Sequence, residues 1–291
     1  SVAGSGRLTL SYSTAHTLDS LTISGGGRLE GTSDILVTGL LDWSATSSSD
    51  SFILTSGTVT AAGGTALNGI ASGYDMRLGS QATLINPTGQ TANWIDGRII
   101  LDGTYNNETG ATFNSTLAST DSISGNGTFN NAGTFNVTNN AFTAVSSGFN
   151  NTGTVDVQSG RLVLTGTGVH TGDFDGTGAL LTFGGNQTFN GSQITGNTLA
   201  FSGTSTANVG SSVTADAVTF SSGTNTFESG ASYTATTTTV SSGSTRFNAG
   251  ASVNLTDVSV AGTGGLQLSN GAAHTLDSLT ISGYGSLAGT S

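Results

Sequence analysis

Ala215-Asp216-Ala217-Val218-Thr219-Phe220-Ser221-Ser222-Gly223-Thr224-Asn225-Thr226-Phe227-Glu228-Ser229-Gly230-Ala231-Ser232-Tyr233-Thr234 is followed by Ala235 to Asn254 on the same template. Three columns keep the step of 20 residues: Gly203, Gly223 and Gly243; Gly210, Gly230 and Gly250; Val213, Tyr233 and Val253. The next copy, from Leu255, slips by one residue near Ala261. Inside each copy apolar residues alternate with Ser, Thr or Asn, as Val218 and Phe220 do with Ala217, Thr219 and Ser221. Alternation of period two places one set of side chains inward and the other outward. Runs of four to six residues closed by Gly read as short strands. A period near 20 fits one coil of a parallel β-solenoid, because strands stacked about 4.8 Å apart need the same kind of inward residue on every coil. The reading is therefore all-β, with about 20 residues per coil and roughly 14 coils. No capping box leads into an apolar stripe of helical period.

A larger repeat lies over the small one. Ala15 to Gly25 returns as Ala273 to Gly283, an offset of 258 residues, and Gly4–Ser33 aligns with Gly262–Ser291 without a gap at 21 of 30 identical positions. The expectation is one continuous solenoid over residues 1–291, made of one unit of about 258 residues with 259–291 beginning the next, cut from a longer array. Such an array would expose unpaired backbone at its ends and associate with like units, end to end or laterally.

The middle of the chain repeats with a different ornament. Phe129-Asn130-Asn131-Ala132-Gly133-Thr134-Phe135 matches Phe149-Asn150-Asn151-Thr152-Gly153-Thr154-Val155 at an offset of 20, and Tyr105-Asn106-Asn107 precedes them by 24. Asn tolerates the left-handed backbone of a tight corner, and stacked amides bond to one another. Asn130 and Asn150 are read as a ladder at one corner, beside the structural glycine columns. Towards the N-terminus, 34–43, 51–54 and 92–101 read as strands, Pro87 as part of a turn, and 62–80 as a loop or bulged coil.

Composition narrows the function. Glycine makes up 45 of 291 residues, charged residues only 8%, and the formal net charge is −11 with six basic residues. No basic stripe exists for nucleic acid, and no apolar run is long enough for membrane insertion. The absence of Cys excludes disulfides and thiolate metal sites.

Gly148 to Leu164 and Leu21 to Thr32 resemble the repeats of very long bacterial surface and secreted proteins, the β-solenoid adhesins that include filamentous-haemagglutinin-like and autotransporter-passenger proteins. The resemblance implies a right-handed parallel β-helix displayed outside the cell. It carries no functional residues over, because the matching motifs are turn and strand chemistry.

Few residues suggest chemistry. Asp173 and Asp175 flank Phe174, so both carboxylates share one strand face and could hold Ca²⁺ or serve glycoside hydrolysis, with a solvated face as the favoured reading. His16, its duplicate His274, and His170 lack partners at metal-ligand spacing and read as surface or turn residues. Trp43, Trp94, Tyr74 and Tyr105 could form a sugar-stacking strip, with core packing favoured for Trp43. Thr234 to Thr239 suggests a water-ordering Thr row, but over few coils. The expectation is a non-enzymatic structural segment of an extracellular fibre, stalk or adhesin, with no cofactor, with like units as partners and surface glycans as a second class of partner. The alternative is a polysaccharide-binding or polysaccharide-cleaving module on the same solenoid.

Overall fold

The computed structural model describes residues 1–12, 14–46, 49–69, 73–138 and 141–289. The fold is a β-solenoid of about 14 turns, all-β and without helix, whose strands stack in parallel about 20 residues apart. Two compact units divide the chain, Ser1–Thr154 and Val155–Ser291.

In the first unit each turn carries three short strands. One turn consists of Leu21–Ser24, Arg28–Gly31 and Ile35–Val37; a later one consists of Thr112–Ser115, Asp121–Ser124 and Thr128–Asn131. Each strand pairs with its counterpart one turn away, Leu21 with Leu41 and Ile23 with Trp43 on one face, Phe129 with Phe149 on another. Alternation then decides which residues are buried. Leu21, Ile23, Leu41, Trp43, Phe113 and Phe135 are almost wholly inside, while Thr22 and Asn114 point outward. The coil spacing suits ring stacking: Tyr105 on Phe129 at 4.7 Å and 13°, and Phe113 on Phe135 at 5.1 Å and 14°. Burying a side chain of this size contributes roughly 1.5–3 kcal/mol.

In the second unit the first two strands of a turn fuse. Gln193–Phe201, Ser212–Phe220, Ser232–Val240 and Ser252–Val260 are nine-residue strands, each followed by a short one such as Thr224–Phe227. Their register runs Ala215 to Ala235, passes over Asp216 and Thr236, and resumes at Ala217 with Thr237, so each fused strand bends at one outward residue. Val213, Tyr233 and Val253 are direct register partners, and Phe183, Phe201 and Phe220 form a stacked column with centroids 5.2 Å apart at both steps.

Two expectations about strands are corrected. The run 34–43 is two strands, Ile35–Val37 and Leu41–Ser44, and 92–101 divides into Thr91–Asp96 and Ile99–Leu101. The breaks fall at Gly39, where an added Cβ would lie 2.3 Å from the Asp19 carbonyl oxygen, and at Gly97, whose φ is +81°. Of the expected loop 62–80, residues 70–72 lie outside the described residues. The remainder holds strands Thr65–Asn68 and Met76–Leu78, with a register shift at Leu67/Asn68.

Candidate functional site

The polar residues singled out from sequence divide into an outer and an inner set. Asn130 donates from Nδ2 to Asn106 Oδ1 at 2.9 Å, and Asn150 to Asn130 Oδ1 at 3.0 Å. Their position is not the expected corner. Both lie within the strands Thr128–Asn131 and Gly148–Asn151 and face outward. No described residue other than Gly has a positive φ, so Asn does not form the left-handed corners. The neighbouring residues build a second, buried ladder that the sequence reading missed. Asn86 donates to Asn107 at 2.8 Å, Asn107 to Asn131 at 2.7 Å, and Asn131 to Asn151 at 2.8 Å. Each donor's second N–H meets a backbone carbonyl, that of Thr112, Thr134 or Thr154. Parity was the available sign, since Asn131 shares the strand face of buried Phe129.

The glycine columns stack by contact. A Cβ on Gly223 would sit 2.3 Å from the Gly203 carbonyl oxygen, and one on Gly243 would sit 2.2 Å from that of Gly223. Gly210, Gly230 and Gly250 adopt φ of +80°, +80° and +83° and bond in series, the N–H of Gly210 to the carbonyl of Gly230 and that of Gly230 to Gly250, both at 3.0 Å.

Asp173 and Asp175 are both exposed on one face of the strand Asp173–Phe183. Their carboxylates serve the backbone. Asp173 accepts from the N–H of Gln193 at 2.9 Å; Asp175 accepts from the Thr177 hydroxyl at 2.5 Å and the Thr177 N–H at 2.9 Å. The Thr177 hydroxyl, and after it the amide, hold the Asp175 carboxyl below the usual carboxylate range. Among the described residues no three of His, Cys, Asp and Glu group closely enough to hold a metal ion.

His170, expected at a surface or turn, is in the core. It packs edge-on to Phe174 at 5.0 Å, stacks on Phe189 at 5.1 Å, and its Nε2 bonds Gln187 Oε1 at 2.8 Å. Burial pushes its pKa down to about 4, against a smaller upward pull from Gln187. His16 is half-buried against Tyr12, and His274 bonds Asn270 at 2.9 Å. Of the aromatic candidates, Trp43, Trp94 and Tyr105 are buried, which leaves only half-buried Tyr74 able to meet a sugar. The outward row Thr195, Thr214 and Thr234 is in register over three turns and ends at Asp175 and Asn254.

One cluster was not anticipated. All six basic residues are Arg, and four of them, Arg7, Arg28, Arg77 and Arg98, lie in the first unit. Arg7 registers with Arg28, Arg28 with Phe52, and Phe52 with Arg77, which makes one outward column. Arg28 lies over the Phe52 ring at 4.2 Å. Asp75, with its side chain only 1% exposed, accepts from Arg98 Nε at 2.7 Å and from Arg77 at 2.6 Å, while Asp50 holds Arg77 Nε at 2.7 Å. The bond from Asp75 raises the Arg98 pKa, and desolvation raises that of Asp121 nearby. Tyr74 lines an open cleft of about 410 Å³ together with Arg28, Asp50, Phe52, Asp75, Arg77 and Arg98. Among the described residues Arg28 has no carboxylate partner, so its guanidinium is available to an anion. The sign in the sequence was spacing for one pair only: Arg7 and Arg28 are one coil of 21 residues apart, whereas the residue one coil after Arg77 is Ile100.

No family model matches the chain, and no curated protein matches it.

Proposed function

We propose that this chain is a structural segment of an extracellular bacterial fibre, stalk or adhesin shaft, whose work is to extend and bear load by stacking like coils. The carrying observation is where the two copies of the duplicated stretch differ. The residues of 4–33 that are fully buried, Leu21, Ile23, Gly25, Gly27, Leu29 and Ser33, are all identical in 262–291. The described positions that differ, among them Arg7, Thr9, Gly26, Arg28 and Glu30, are half-buried or exposed. Every described position that the duplication has changed lies on the outer surface, and none lies among the side chains that one coil offers the next, which is the pattern a scaffold requires. Inter-coil hydrogen bonds and continuous inward columns supply the cohesion. Screening the protein against a polysaccharide panel tests the reading. No cleavage is expected, and cleavage of any member overturns it.

The Arg28–Phe52 cleft favours a second reading, binding of an acidic glycan through a carboxylate or sulfate on Arg28. Retention of the protein on a polyuronate but not on a neutral glucan, abolished by Arg28→Ala, would support it. Equal behaviour of parent and variant would remove it.

A further inference from the structure

The cleft beside Arg28 belongs to one copy of the duplicated stretch and not to the other. Arg7, Gly26, Arg28 and Glu30 stand where the second copy has Gly265, Tyr284, Ser286 and Ala288. The coil is laid down alike in both. Arg28 registers with Arg7 and Leu29 with Leu8, as Ser286 does with Gly265 and Leu287 with Leu266. Stacking therefore does not require the Arg28 guanidinium. Nor does an ion pair hold it. Every Asp and Glu of the chain is among the described residues, and none bonds Arg28; Glu30, two residues on along the same face, is held by Arg7 at 3.3 Å. The charged residues lining the cleft are Arg28, Arg77, Arg98, Asp50 and Asp75, so three guanidiniums meet two carboxylates and one positive charge is left over. This excess stands on a chain of net charge −11. Arg77 and Arg98 each spend Nε and Nη2 on Asp50 or Asp75, and their Nη1 groups have no partner among the described residues. Phe52 covers one side of the Arg28 guanidinium at 4.2 Å and leaves its N–H edge open. The surroundings are acidic: Glu30 lies beside Arg28, and Asp121 is close enough to Arg98 and Asp96 to feel both charges.

We propose that this cleft takes one singly charged group of an otherwise neutral glycan, a uronate carboxylate or a sulfate ester, and selects against densely charged polymers. The proposal rests on the acidic-glycan reading of the cleft and adds charge density as what it discriminates. Arg28 supplies a planar fork that grips two oxygens of one group. Arg77 and Arg98 add Nη1 donors whose direction Asp50 and Asp75 fix. Half-buried Tyr74 offers its ring to the face of the sugar. One bound monoanion cancels the excess charge. A polymer charged on every sugar brings further charges within a Debye length of about 8–10 Å, where Glu30, Asp96 and Asp121 repel them.

Calorimetric titration of the full chain with trisaccharides of equal length tests it. The probes are a neutral glucan trimer, trimers carrying a single uronate or a single sulfate ester, and a trimer of uronates throughout. A singly charged trimer of either kind is expected to bind, and the tighter of the two names the group. The neutral trimer should bind on the order of tenfold more weakly, and Arg28→Ser, which copies Ser286 of the second stretch, should weaken the charged probes by a similar factor. The all-uronate trimer should gain no more than the about threefold statistical advantage of its equivalent carboxylates. A larger gain, on the order of tenfold, would show that the cleft reads charge density and overturn the proposal while leaving the acidic-glycan reading in place. Failure of every acidic trimer to bind, or equal binding of the neutral trimer or by Arg28→Ser, would remove both. A melting curve of Arg28→Ser checks that it folds; should it melt early, the probes on the parent chain decide alone.

Discussion

Replacing Asn131 by Ala tests whether inward amides hold the coils together. Asn131 is 1% exposed. The change removes its two donations, to Asn151 at 2.8 Å and to the Thr154 carbonyl at 3.0 Å, and its acceptance from Asn107 at 2.7 Å. A buried hydrogen bond contributes about 1 kcal/mol net, and a partner stripped of its bond inside costs further, so the loss should be about 3–4 kcal/mol. Asn130→Ala, one residue away, is the internal control. It removes two amide bonds of similar length, to Asn106 and from Asn150, but on an outward face where water can replace them, and should cost about 1 kcal/mol or less. Trp43 and Trp94, both buried in the first unit, report unfolding by fluorescence in urea. Because stacked repeats need not unfold in one step, the transition midpoint is the quantity compared, with amide exchange at 104–107, 128–131 and 148–151 as the local readout. Equal midpoints for the two variants would refute the inner-ladder reasoning.

Three further outcomes follow from the same geometry. Gly223→Ala drives a Cβ to 2.3 Å from the Gly203 carbonyl at a φ of +72° and should lower the melting temperature strongly, whereas Gly191→Ala, at a φ of +83° but facing open space, should cost only the ~1–2 kcal/mol of the left-handed backbone. His170 titrates at about 4 when folded and near 6.5 when unfolded, so between those values the unfolded chain binds more protons. Stability should therefore fall by roughly 3 kcal/mol as pH drops from 6.5 to 4, and His170→Gln should flatten that part of a denaturation-versus-pH curve. Asp75→Asn leaves Arg77 and Arg98, with side chains 37% and 46% exposed, without their shared buried carboxylate and should cost about 2–3 kcal/mol by urea unfolding, while Arg28→Ala stays within about 1 kcal/mol of the parent.

The fold was legible because stacking imposes its own record. A residue that must sit on its counterpart one coil below has to be of the same kind, so Val213, Tyr233 and Val253 line up in sequence for the reason that they register in space. Other features left a weaker record. In 34–43 only Thr38 and Gly39 separate Ile35–Val37 from Leu40 and Leu41, so the corner carries little polar punctuation. His170 was assigned to the surface by its polarity, because the Gln187 that satisfies it is 17 residues away on the next coil. Arg7, Arg28, Arg77 and Arg98 are spread over 92 residues of sequence and converge only when each coil is wound onto the last. Among the described residues the left-handed positions use Gly alone, so the Asn pairs point to the right column and the wrong location.

The inward polar residues answer a problem that the repeats create. Where successive coils are as alike as 215–234 and 235–254, sliding one stack past another by a whole coil would leave apolar facing apolar, so the hydrophobic columns fix the face of each residue but only weakly fix which coil meets which. The buried polar pairs are not interchangeable in this way. His170 finds Gln187 at 2.8 Å, and Ser205 finds Asn225 at 2.7 Å. A slipped coil would exchange Gln187 for the shorter Ser205 opposite His170 and leave the imidazole without its bond inside, at about 1–3 kcal/mol.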